Sequence, residues 1–311
     1  MKLDYRILWI DDRINEHRQD GHLKRIEDFL ASLGFVPQIV ECEDKEQLVE
    51  IIKTQRFDLI LTDYNLDEEG NNGDVIIQEI RDGRIFTEIL FYSAVEDFWE
   101  KARNVLDIDR LSYYQVSQGY NGLLDKTEWL INQTVSKLQE LTAMRGLMMA
   151  ETSGLDSLLG ELLVNFINRP EIIEKRAEIF NKSMEKNLKF FDDNAKKFEK
   201  YIQKEQFENF VNKLNVFGKL YVLGLILQDS TIESFSSEIL NNYNIEISEV
   251  RNKLAHLKHT IIDGKHHLSF RASDGTTWEF NDERCVEIRQ NLKKHTDNLK
   301  ALATYLEMEV E

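Results

Sequence analysis

Four short apolar runs in the first 93 residues, separated by helical patterns, constrain the fold of this chain more than any other feature. The runs are rich in branched and aromatic residues and are about as long as typical strands. They cover Tyr5–Ile10, Phe35–Val40, Phe57–Leu61 and Ile89–Tyr92. Between them, apolar residues recur at helical spacing in His22–Leu33, Leu48–Ile52 and Val75–Ile80. This alternation predicts an α/β fold with a doubly wound parallel sheet.

Polar side chains follow three of the predicted strands. Asp11 and Asp12 follow the first strand, Asp63 follows the third, and Ser93 follows the fourth. In doubly wound sheets, ligands bind at the edge where the carboxyl ends of the strands meet. Carboxylates that converge there repel each other unless a cation neutralises them, and hard oxygen ligands favour Mg²⁺. A carboxylate beside Mg²⁺ can attack a phosphoryl donor, and a nearby hydroxyl and lysine would bind the phosphoryl oxygens.

With these residues, the first 140 residues resemble the receiver domain of two-component response regulators, which implies a flavodoxin-like fold. The resemblance implies that Asp63 is the phosphoacceptor and that a partner histidine kinase is the phosphodonor. Ser93 and Lys126 would form the phosphoryl switch. The resemblance also implies a Mg²⁺ site made by Asp11, Asp12, Asp63 and the backbone carbonyl of Asn65.

Lys126 lies later in the chain than the family's lysine usually does, and no proline follows it. The stretch Val95–Asn121 therefore carries an insertion or a rebuilt fourth helix and fifth strand. Two other interpretations stay open. The carboxylates could be helix caps and loop residues, because Asp is common after strands. Alternatively, the domain could keep the fold and the acidic pocket without being phosphorylated.

The second half of the chain is predicted to be mostly helical. Apolar spacing predicts one helix from Thr127 to about Ala150, joined to the first domain without a flexible linker and interrupted at Thr152-Ser153-Gly154. Pro170 fits the first position of a long helix that continues to Ile202. Further helices are predicted over Leu155–Ile167, Phe207–Leu227 and Ile232–His256. The predicted domains are 1–140, a helical connector at 141–154, and 155–311.

After His259 the pattern changes to short β-type runs separated by turn dipeptides. Asp263-Gly264 and Asp274-Gly275 are the predicted turns of a small hairpin or meander. Asn281 then caps a terminal helix whose first turn is acidic. The runs are Thr260–Ile262, Leu268–Arg271 and Thr277–Phe280, and the apolar stripe of the last helix is Leu292, Leu299, Leu302 and Leu306.

The hexapeptide that starts at Arg251 and ends at His256 is the candidate for chemistry in this half. An arginine can bind phosphate and a histidine can transfer protons near neutral pH, so together they could cleave RNA without a metal or other cofactor. Five residues of helix turn through about 500°, which places the two side chains about 140° apart. A shared pocket is therefore easier to build across the two-fold axis of a homodimer.

This hexapeptide resembles the Arg-x4-His signature of the HEPN superfamily, all-helical domains found in many defence and toxin ribonucleases. The resemblance implies that Arg251 and His256 are catalytic, that Asn252 is an auxiliary polar residue, and that the protein acts as a homodimer. Residues 251–271 hold five basic residues and one acid, although a surface arginine and a capping histidine stay an alternative. The candidates for contact with RNA are Lys253, Lys258, Lys265 and Arg271.

Net charge and cysteine content limit what the protein can bind and which cellular compartment suits it. The net charge of −17 argues against nucleic-acid binding along the whole chain, but it is uneven: residues 1–140 hold 16 basic and 29 acidic residues, or −13, which leaves −4 for 141–311. Cys42 and Cys285 are far apart, which fits a reducing cytoplasm and no structural metal. No signal region or membrane span is recognisable. We therefore expect a cytoplasmic protein.

The two resemblances together predict a phosphorylation-regulated RNA endonuclease that acts in stress response or antiviral defence. The main alternative is a non-catalytic response regulator whose helical half dimerises and binds RNA or a protein partner. In a third interpretation, the first domain serves as a docking module and the helical half only dimerises.

Overall fold

The computed structural model of the chain describes residues 3–43, 45–66, 73–105, 107–116, 119–186, 195–228, 237–262, 265–269 and 277–308. The chain divides into two units. The N-terminal unit comprises Met1–Met144 and Cys285–Arg289, and the C-terminal unit comprises Arg145–Arg284 and Gln290–Glu311. In the part of the chain that is described, no helix combines the length and the apolar character that crossing a membrane requires.

The described residues of the N-terminal unit form a parallel sheet of five strands. They are β1 (Asp4–Ile10), β2 (Val36–Cys42), β3 (Leu59–Asp63), β4 (Glu88–Ser93) and β5 (Leu111–Gln115). Their order is β2-β1-β3-β4-β5, and each neighbouring pair is parallel. This is the strand order of flavodoxin-like doubly wound sheets, whose switch point lies between β1 and β3. The predicted α/β fold of the N-terminal part is therefore confirmed.

Helices cover both faces of this sheet. Side chains alternate along each strand, so Ile7 and Trp9 of β1 join one apolar cluster, and Leu8 and Ile10 join the other. All five residues of β3 are buried, as expected of a central strand in a parallel sheet. The helices of this unit are α1 (Ile14–Gln19), α2 (His22–Ser32), α3 (Lys45–Thr54), α4 (Gly73–Asp82), α5 (Phe98–Lys101) and α6 (Asn121–Leu138).

The stretch between β4 and α6 is rebuilt relative to an ordinary strand-helix-strand unit. Helix α5 has only four residues, and a 3₁₀ turn at Ala102–Val105 follows it. β5 comes next and pairs in parallel with β4, so that Ser93 aligns with Gln115. The sequence predicted a disturbance here without giving bounds to the strand.

The rest of the chain is helical, apart from a small antiparallel sheet. Its helices are α7 (Leu141–Ile167), α8 (Pro170–Ile173), α9 (Arg176–Lys186), α10 (Ala195–Gln203), α11 (Phe207–Val211), α12 (Val216–Leu227), α13 (Glu249–His256) and α14 (Asp282–Tyr305). The described strands β6 (Lys258–Ile262), β7 (Lys265–Ser269) and β8 (Thr277–Phe280) lie in that order. The helical character and the meander predicted for this half are confirmed, although both predicted turn dipeptides lie outside the described residues.

The helix boundaries at the start of this half differ from the prediction. The predicted helix from Thr127 to Ala150 is broken after Leu138, and α7 begins at Leu141. The predicted interruption at 152–154 is wrong, because α7 is continuous there. The hydroxyl of Thr152 donates to the carbonyl of Met148 at 2.7 Å, and Gly154 faces open space, so neither residue disturbs the helix.

The long helix predicted from Pro170 to Ile202 is also wrong. Pro170 does occupy the first helical turn, with Arg169 as the N-cap, but α8 ends at Ile173. Phe180 of α9 and Phe198 of α10 both pack on Phe210, at ring-centroid distances of 4.4 and 4.8 Å. In one straight helix these two residues would lie about 27 Å apart. Helices α9 and α10 are therefore not parts of one straight helix.

The two helices predicted next are divided in the same way. Phe207–Leu227 is split because Asn215 caps α12, where its Oδ1 accepts from the amide of Gly218 at 2.8 Å. In place of one helix over Ile232–His256, the structure has a 3₁₀ turn at Ser237–Leu240, a π-helical turn at Asn244–Ser248, and α13. A π-turn is invisible to a 3.6-residue pattern.

The capped helix predicted for the last part of the sequence is confirmed in the described residues. Asn281 caps α14, because its Oδ1 accepts from the amide of Arg284 at 2.9 Å. Asp282 and Glu283 lie in the first turn, where negative charge stabilises the helix. The stripe residues Leu292, Leu299 and Leu302 are buried, and Leu306 is half-buried.

Candidate functional site

An acidic pocket lies at the carboxyl edge of the parallel sheet. Asp11 directly follows β1, Asp63 ends β3, and Ser93 ends β4. Asp63 aligns with Tyr92, so Ser93 lies one residue further along the neighbouring strand. Asp11, Asp63 and Ser93 are all buried, whereas Asp12 is 43% exposed. The topology thus brings together the strand-end residues that the sequence singled out.

A buried hydrogen-bond network holds Asp11 at the base of this pocket. Its Oδ1 accepts from the amide of Arg13 at 2.8 Å, and its Oδ2 accepts from His17 Nε2 at 3.0 Å and from the hydroxyl of Tyr92. Burial disfavours the charged form of Asp11, but the hydrogen bonds from His17 and Tyr92 outweigh burial and lower its pKa. Asp11 is therefore a fixed negative charge whose two oxygens already have protein donors.

The network extends away from the pocket through aromatic and imidazole rings. Trp9 Nε1 donates to the hydroxyl of Tyr92 at 2.8 Å. On the other side, the Nδ1 atoms of His17 and His22 lie 2.8 Å apart, and the ring of Tyr120 packs edge-on against His17 at 4.5 Å. Nothing in the sequence pattern pointed to this cluster, because its members come from β1, α1, α2 and β4.

Asp63 is a carboxyl group whose pKa is strongly raised by its surroundings. Burial, followed by the charge of Asp11, raises the pKa of Asp63 to about 7. The amides of Tyr64 and Asn65 and the charge of Arg13 oppose that rise. The amide of Asn65 donates to Asp63 Oδ2 at 3.2 Å. Asp63 is thus a crowded carboxyl group whose ionised form a bound cation would stabilise.

Two close contacts define the walls beside Asp63. Ser93 Oγ accepts from the amide of Val95 at 3.2 Å, which leaves its hydroxyl proton free to donate. Gly73 begins α4 directly against the Asp63 backbone: a Cβ at this position would lie 2.2 Å from the Asp63 carbonyl oxygen and 2.7 Å from the ring of Phe91. A glycine is therefore required for α4 to approach β3 this closely.

Lys126 does not lie at the end of β5. It belongs to the second turn of α6, and its ammonium group stands 3.9 Å from the ring centre of Trp129. The residue at the end of β5, opposite Ser93, is Gln115. Its amide donates to the carbonyls of Val95 and Glu96 and accepts from Trp99, so it holds the loop after β4.

A Mg²⁺ ion fits this pocket by its donor chemistry. Among the described residues, no group of three or more His, Cys, Asp or Glu side chains is spaced to hold a metal. Mg²⁺ in proteins needs only one or two carboxylates, with waters completing the shell. Asp12, Asp63 and the carbonyl of Asn65 are such donors. Burial, followed by the charge of Asp11, raises the pKa of Asp63, and a bound cation would favour its ionised form. Asp11 is already occupied, so it suits a supporting position.

A second candidate site is an open cleft of about 400 Å³ in the C-terminal unit. It lies among α7, the start of α12, the π-helical turn and α13. Phe217, 52% exposed, contributes an aromatic ring to the lining. Its polar side chains include Ser153, Asp156, Asn215, Asn244, Arg251 and Asn252.

Arg251 is the available cation of this cleft. Within the described part of the chain its side chain makes no hydrogen bond or ion pair, and both Arg251 and Asn252 are exposed. Asp156 is different, because its carboxylate accepts from the buried Lys219 at 2.7 Å. As far as the described residues go, the guanidinium of Arg251 can therefore contact a ligand without first giving up a partner.

The helix that carries Arg251 is fixed from α7. Arg145 donates to the carbonyls of Leu254 and Leu257 at 2.6 and 3.1 Å, at the carboxyl end of α13. His256 is the last residue of α13, and its side chain lies outside the described residues. The predicted separation of the Arg251 and His256 side chains therefore stays a prediction.

The remaining residues predicted to contact RNA are only partly described. Lys253 is half-buried, with its ammonium group 5.6 Å from the ring of Trp278, and Arg284 stands 5.1 Å from the same ring. Lys258 and Lys265 lie on β6 and β7, but their side chains are outside the described residues, as is the whole of Arg271. Contact between this basic stretch and RNA therefore stays a prediction.

Comparison of the sequence with protein-family models gives no match. Comparison with curated proteins gives no match either.

Solved structures similar to the N-terminal 40% of the chain are CheY-like receiver domains. Response regulator protein TrrA from Thermotoga maritima, in complex with Mg²⁺ and BeF, is 21% identical, with a TM-score of 0.32, and the match covers 40% of this chain and 98% of TrrA. A CheY-like receiver domain protein from Methanospirillum hungatei is 16% identical, with a TM-score of 0.35 and coverage of 43% and 98%. A Francisella receiver domain is 18% identical, with a TM-score of 0.33 and coverage of 42% and 98%. The order and register of the five strands, rather than these similarities, establish the flavodoxin-like fold.

Proposed function

We propose that this chain is a phosphorylation-controlled signalling protein in which Asp63 accepts a phosphoryl group and the helical half cleaves RNA. The observation that carries the first part is the position of Asp63. It is a buried carboxyl group at the switch-point edge of a flavodoxin-like sheet, with a hydroxyl at the end of the adjacent strand. Ligand chemistry in such sheets is concentrated at this edge.

The reaction assigns a distinct task to each residue of the pocket. A carboxylate oxygen of Asp63 attacks the phosphorus of the donor, an O–P bond forms, and the bond from phosphorus to the leaving group breaks. With a histidine kinase as donor, that leaving group is an imidazole nitrogen. The hydroxyl of Ser93 donates to a phosphoryl oxygen, and the amides of Tyr64 and Asn65 hold the carboxyl group in place.

Magnesium is part of this proposal. Asp12, Asp63 and the carbonyl of Asn65 would hold the ion, with Asp11 behind them as a fixed charge. When bound, Mg²⁺ screens the negative charge of the incoming phosphoryl group and favours the ionised form of Asp63. The residues of the chain fix the position of that carboxylate independently of the ion.

Intact-mass measurement tests the assignment of Asp63. The purified full chain is incubated with acetyl phosphate and Mg²⁺, alongside Asp63→Asn and a sample with EDTA. We expect the mass of one phosphoryl group to be gained by the wild type with Mg²⁺ and by neither of the other two samples. If Asp63→Asn gains as much phosphoryl mass as the wild type, the assignment of Asp63 as the phosphoacceptor is rejected.

The proposed output is metal-independent RNA cleavage by Arg251 and His256, with Asn252 as a polar auxiliary. The observation that favours it is that Arg251 and Asn252 line an open polar cleft and that Arg251 has no protein partner within the described residues. The 2′-hydroxyl oxygen of the RNA attacks the adjacent phosphorus, and the bond to the 5′ oxygen breaks. His256 takes the proton of the 2′-hydroxyl and a protonated imidazole protonates the leaving oxygen, while Arg251 stabilises the charged phosphorane.

A homodimer is part of the proposal, because helix geometry predicts that side chains five residues apart point about 140° apart, so that a second copy makes a shared pocket easier to build. Total RNA is incubated with the chain in EDTA, alongside Arg251→Ala, His256→Ala and Lys213→Ala, the last being an exposed basic residue outside the cleft. We expect both motif variants to lose cleavage and Lys213→Ala to keep it. Light scattering on the same samples should give twice the mass of the chain. Equal cleavage by all four proteins would indicate a contaminating nuclease.

The alternative output is binding without cleavage. If RNA is retained by the wild type but stays intact, and Arg251→Ala releases it, the helical half is a binding module. The setting we propose, stress response or antiviral defence in the cytoplasm, follows from the resemblance to HEPN ribonucleases.

A further inference from the structure

Among the described residues, no lysine stands at the end of β5, where it could bind a phosphoryl group on Asp63. No Lys or Arg occurs anywhere in residues 111–125, which include β5 and the start of α6. Gln115 holds the strand-end position, and its amide is committed to the loop after β4. Lys126 packs on Trp129. A dianionic phosphoryl group on Asp63 would therefore need positive charge from another element.

Arg13 lies at the same edge of the sheet, directly after the Asp11-Asp12 pair. Its backbone amide donates to Asp11 Oδ1, which fixes the residue at the rim of the pocket. Its side chain leaves that anchor with Nη2 donating to the hydroxyl of Tyr120 at 3.1 Å and Nε standing 3.9 Å from Asp12 Oδ1. Arg13 is thus held by its backbone, whereas its side chain is 47% exposed and, within the described residues, donates one hydrogen bond to a neutral partner.

Arg13 lies beside two carboxylates of the pocket, because its amide donates to Asp11 and its Nε stands 3.9 Å from Asp12 Oδ1. Within the described residues, Arg13 Nη1 makes no hydrogen bond. A guanidinium carries five donors in a planar fork that matches two phosphoryl oxygens.

We infer that Arg13, an arginine on the loop after β1, replaces the missing lysine and binds the phosphoryl group on Asp63. The inference rests on the proposed function of Asp63. The guanidinium exchanges its contact with the hydroxyl of Tyr120 for the phosphoryl oxygens, because its planar fork can make two parallel charge-assisted hydrogen bonds to a phosphoryl group but only one to the Tyr120 hydroxyl. Arg13 thereby links phosphorylation to Tyr120, the N-cap residue of α6.

Phosphorylation kinetics of single variants test this inference. The full chain, Arg13→Ala, Arg13→Lys and Arg18→Ala are incubated with acetyl phosphate and Mg²⁺, and the phosphorylated fraction is followed by intact mass. Arg18 is the matched control, an exposed arginine of α1 that pairs with Glu41. We expect at least a tenfold slower gain for Arg13→Ala, partial rescue by Arg13→Lys, and the wild-type rate for Arg18→Ala.

Tyr120→Phe separates this function from a structural one. It removes the same hydrogen bond between Arg13 and Tyr120 but keeps the charge of Arg13. We expect this variant to be phosphorylated at least as fast as the wild type. If its phosphorylation rate instead falls as far as that of Arg13→Ala, Arg13 acts only by holding Tyr120 in place, and the inference is overturned.

Two further outcomes also decide the matter. A wild-type rate in Arg13→Ala, or a loss confined to Lys126→Ala, would reject Arg13 while leaving Asp63 as the acceptor. A wild-type chain that gains no phosphoryl mass would reject the proposed function and the inference together.

Discussion

The acidic pocket and the helical cleft place their charged groups in opposite ways. In the pocket, Asp11 and Asp63 are almost fully buried, and hydrogen bonds from several elements hold them. In the cleft, Arg251 is exposed and has no partner within the described residues. The pocket at the strand ends holds its carboxylates in fixed positions, although burying their charges costs free energy. In the open cleft, Arg251 has no partner among the described residues that a ligand would have to displace. Changes in the pocket should therefore alter stability, and loss of the Arg251 side chain in the cleft should alter only function.

The largest effect on stability is expected from Asp63→Asn in metal-free buffer. Burial and the charge of Asp11 raise the pKa of Asp63 from 3.8 to about 7, which corresponds to a penalty of up to about 4 kcal/mol on the ionised group. A raised acid pKa costs nothing below about pH 4, costs more as pH rises, and reaches its full value above about pH 7. The variant should therefore melt higher than the wild type at pH 8 and equally at pH 4.

Thermal melts at the two pH values, with and without Mg²⁺, measure this difference. Mg²⁺ should narrow it, because the ion stabilises only the wild-type carboxylate. If the variant melts at or below the wild-type temperature at pH 8, ionisation of Asp63 does not destabilise the folded protein.

Two glycines give the next comparison, one from each region. Gly73→Ala forces a Cβ against the Asp63 carbonyl, which should cost about 1–3 kcal/mol and slow phosphorylation. Gly154→Ala lies in the exposed interior of α7 with open space around it, so it should stabilise the chain by up to about 1 kcal/mol. Denaturant unfolding of both variants measures the two effects. Equal effects would mean that α4 can move away from β3 without cost.

The pocket was the more predictable of the two sites. Asp63 follows a continuous apolar strand, and the parallel topology then requires it to lie at the same edge as Asp11 and Ser93. Arg13 was missed because an exposed arginine after two aspartates has no distinguishing pattern. The absence of any Lys or Arg from residues 111–125 was the signal that another cation was needed.

The helical half was less predictable, because its breaks depend on tertiary packing. Asn215 is an ordinary polar residue in the sequence and becomes a helix cap only where α12 begins. Phe180 of α9 and Phe198 of α10 pack on one ring, that of Phe210, although in the sequence they continue a single helical stripe. Arg145, which fixes α13 through two carbonyls, carries no signal in the sequence.

A smaller effect is expected from Asp156→Asn at the wall of the cleft. It removes an ion pair with Lys219, whose side chain is 11% exposed, while the carbonyl of Asp156 still accepts from the same ammonium group at 2.9 Å. The loss should be about 1 kcal/mol, because the partner carboxylate is itself 42% exposed and screened by solvent. Urea unfolding at low and high salt checks this, and a loss that does not shrink in high salt would contradict a screened pair.

The smallest effect on stability is expected from Arg251→Ala. Since the side chain is exposed and has no partner within the described residues, its removal should change the free energy of unfolding by no more than about 0.5 kcal/mol. The same variant should abolish RNA cleavage, so function and stability separate completely at this position. Matched urea unfolding and cleavage assays measure both quantities. A destabilisation of several kcal/mol would mean that Arg251 is a structural residue. The contrast between the buried, hydrogen-bonded carboxylates of the pocket and the exposed arginine of the cleft would then not hold.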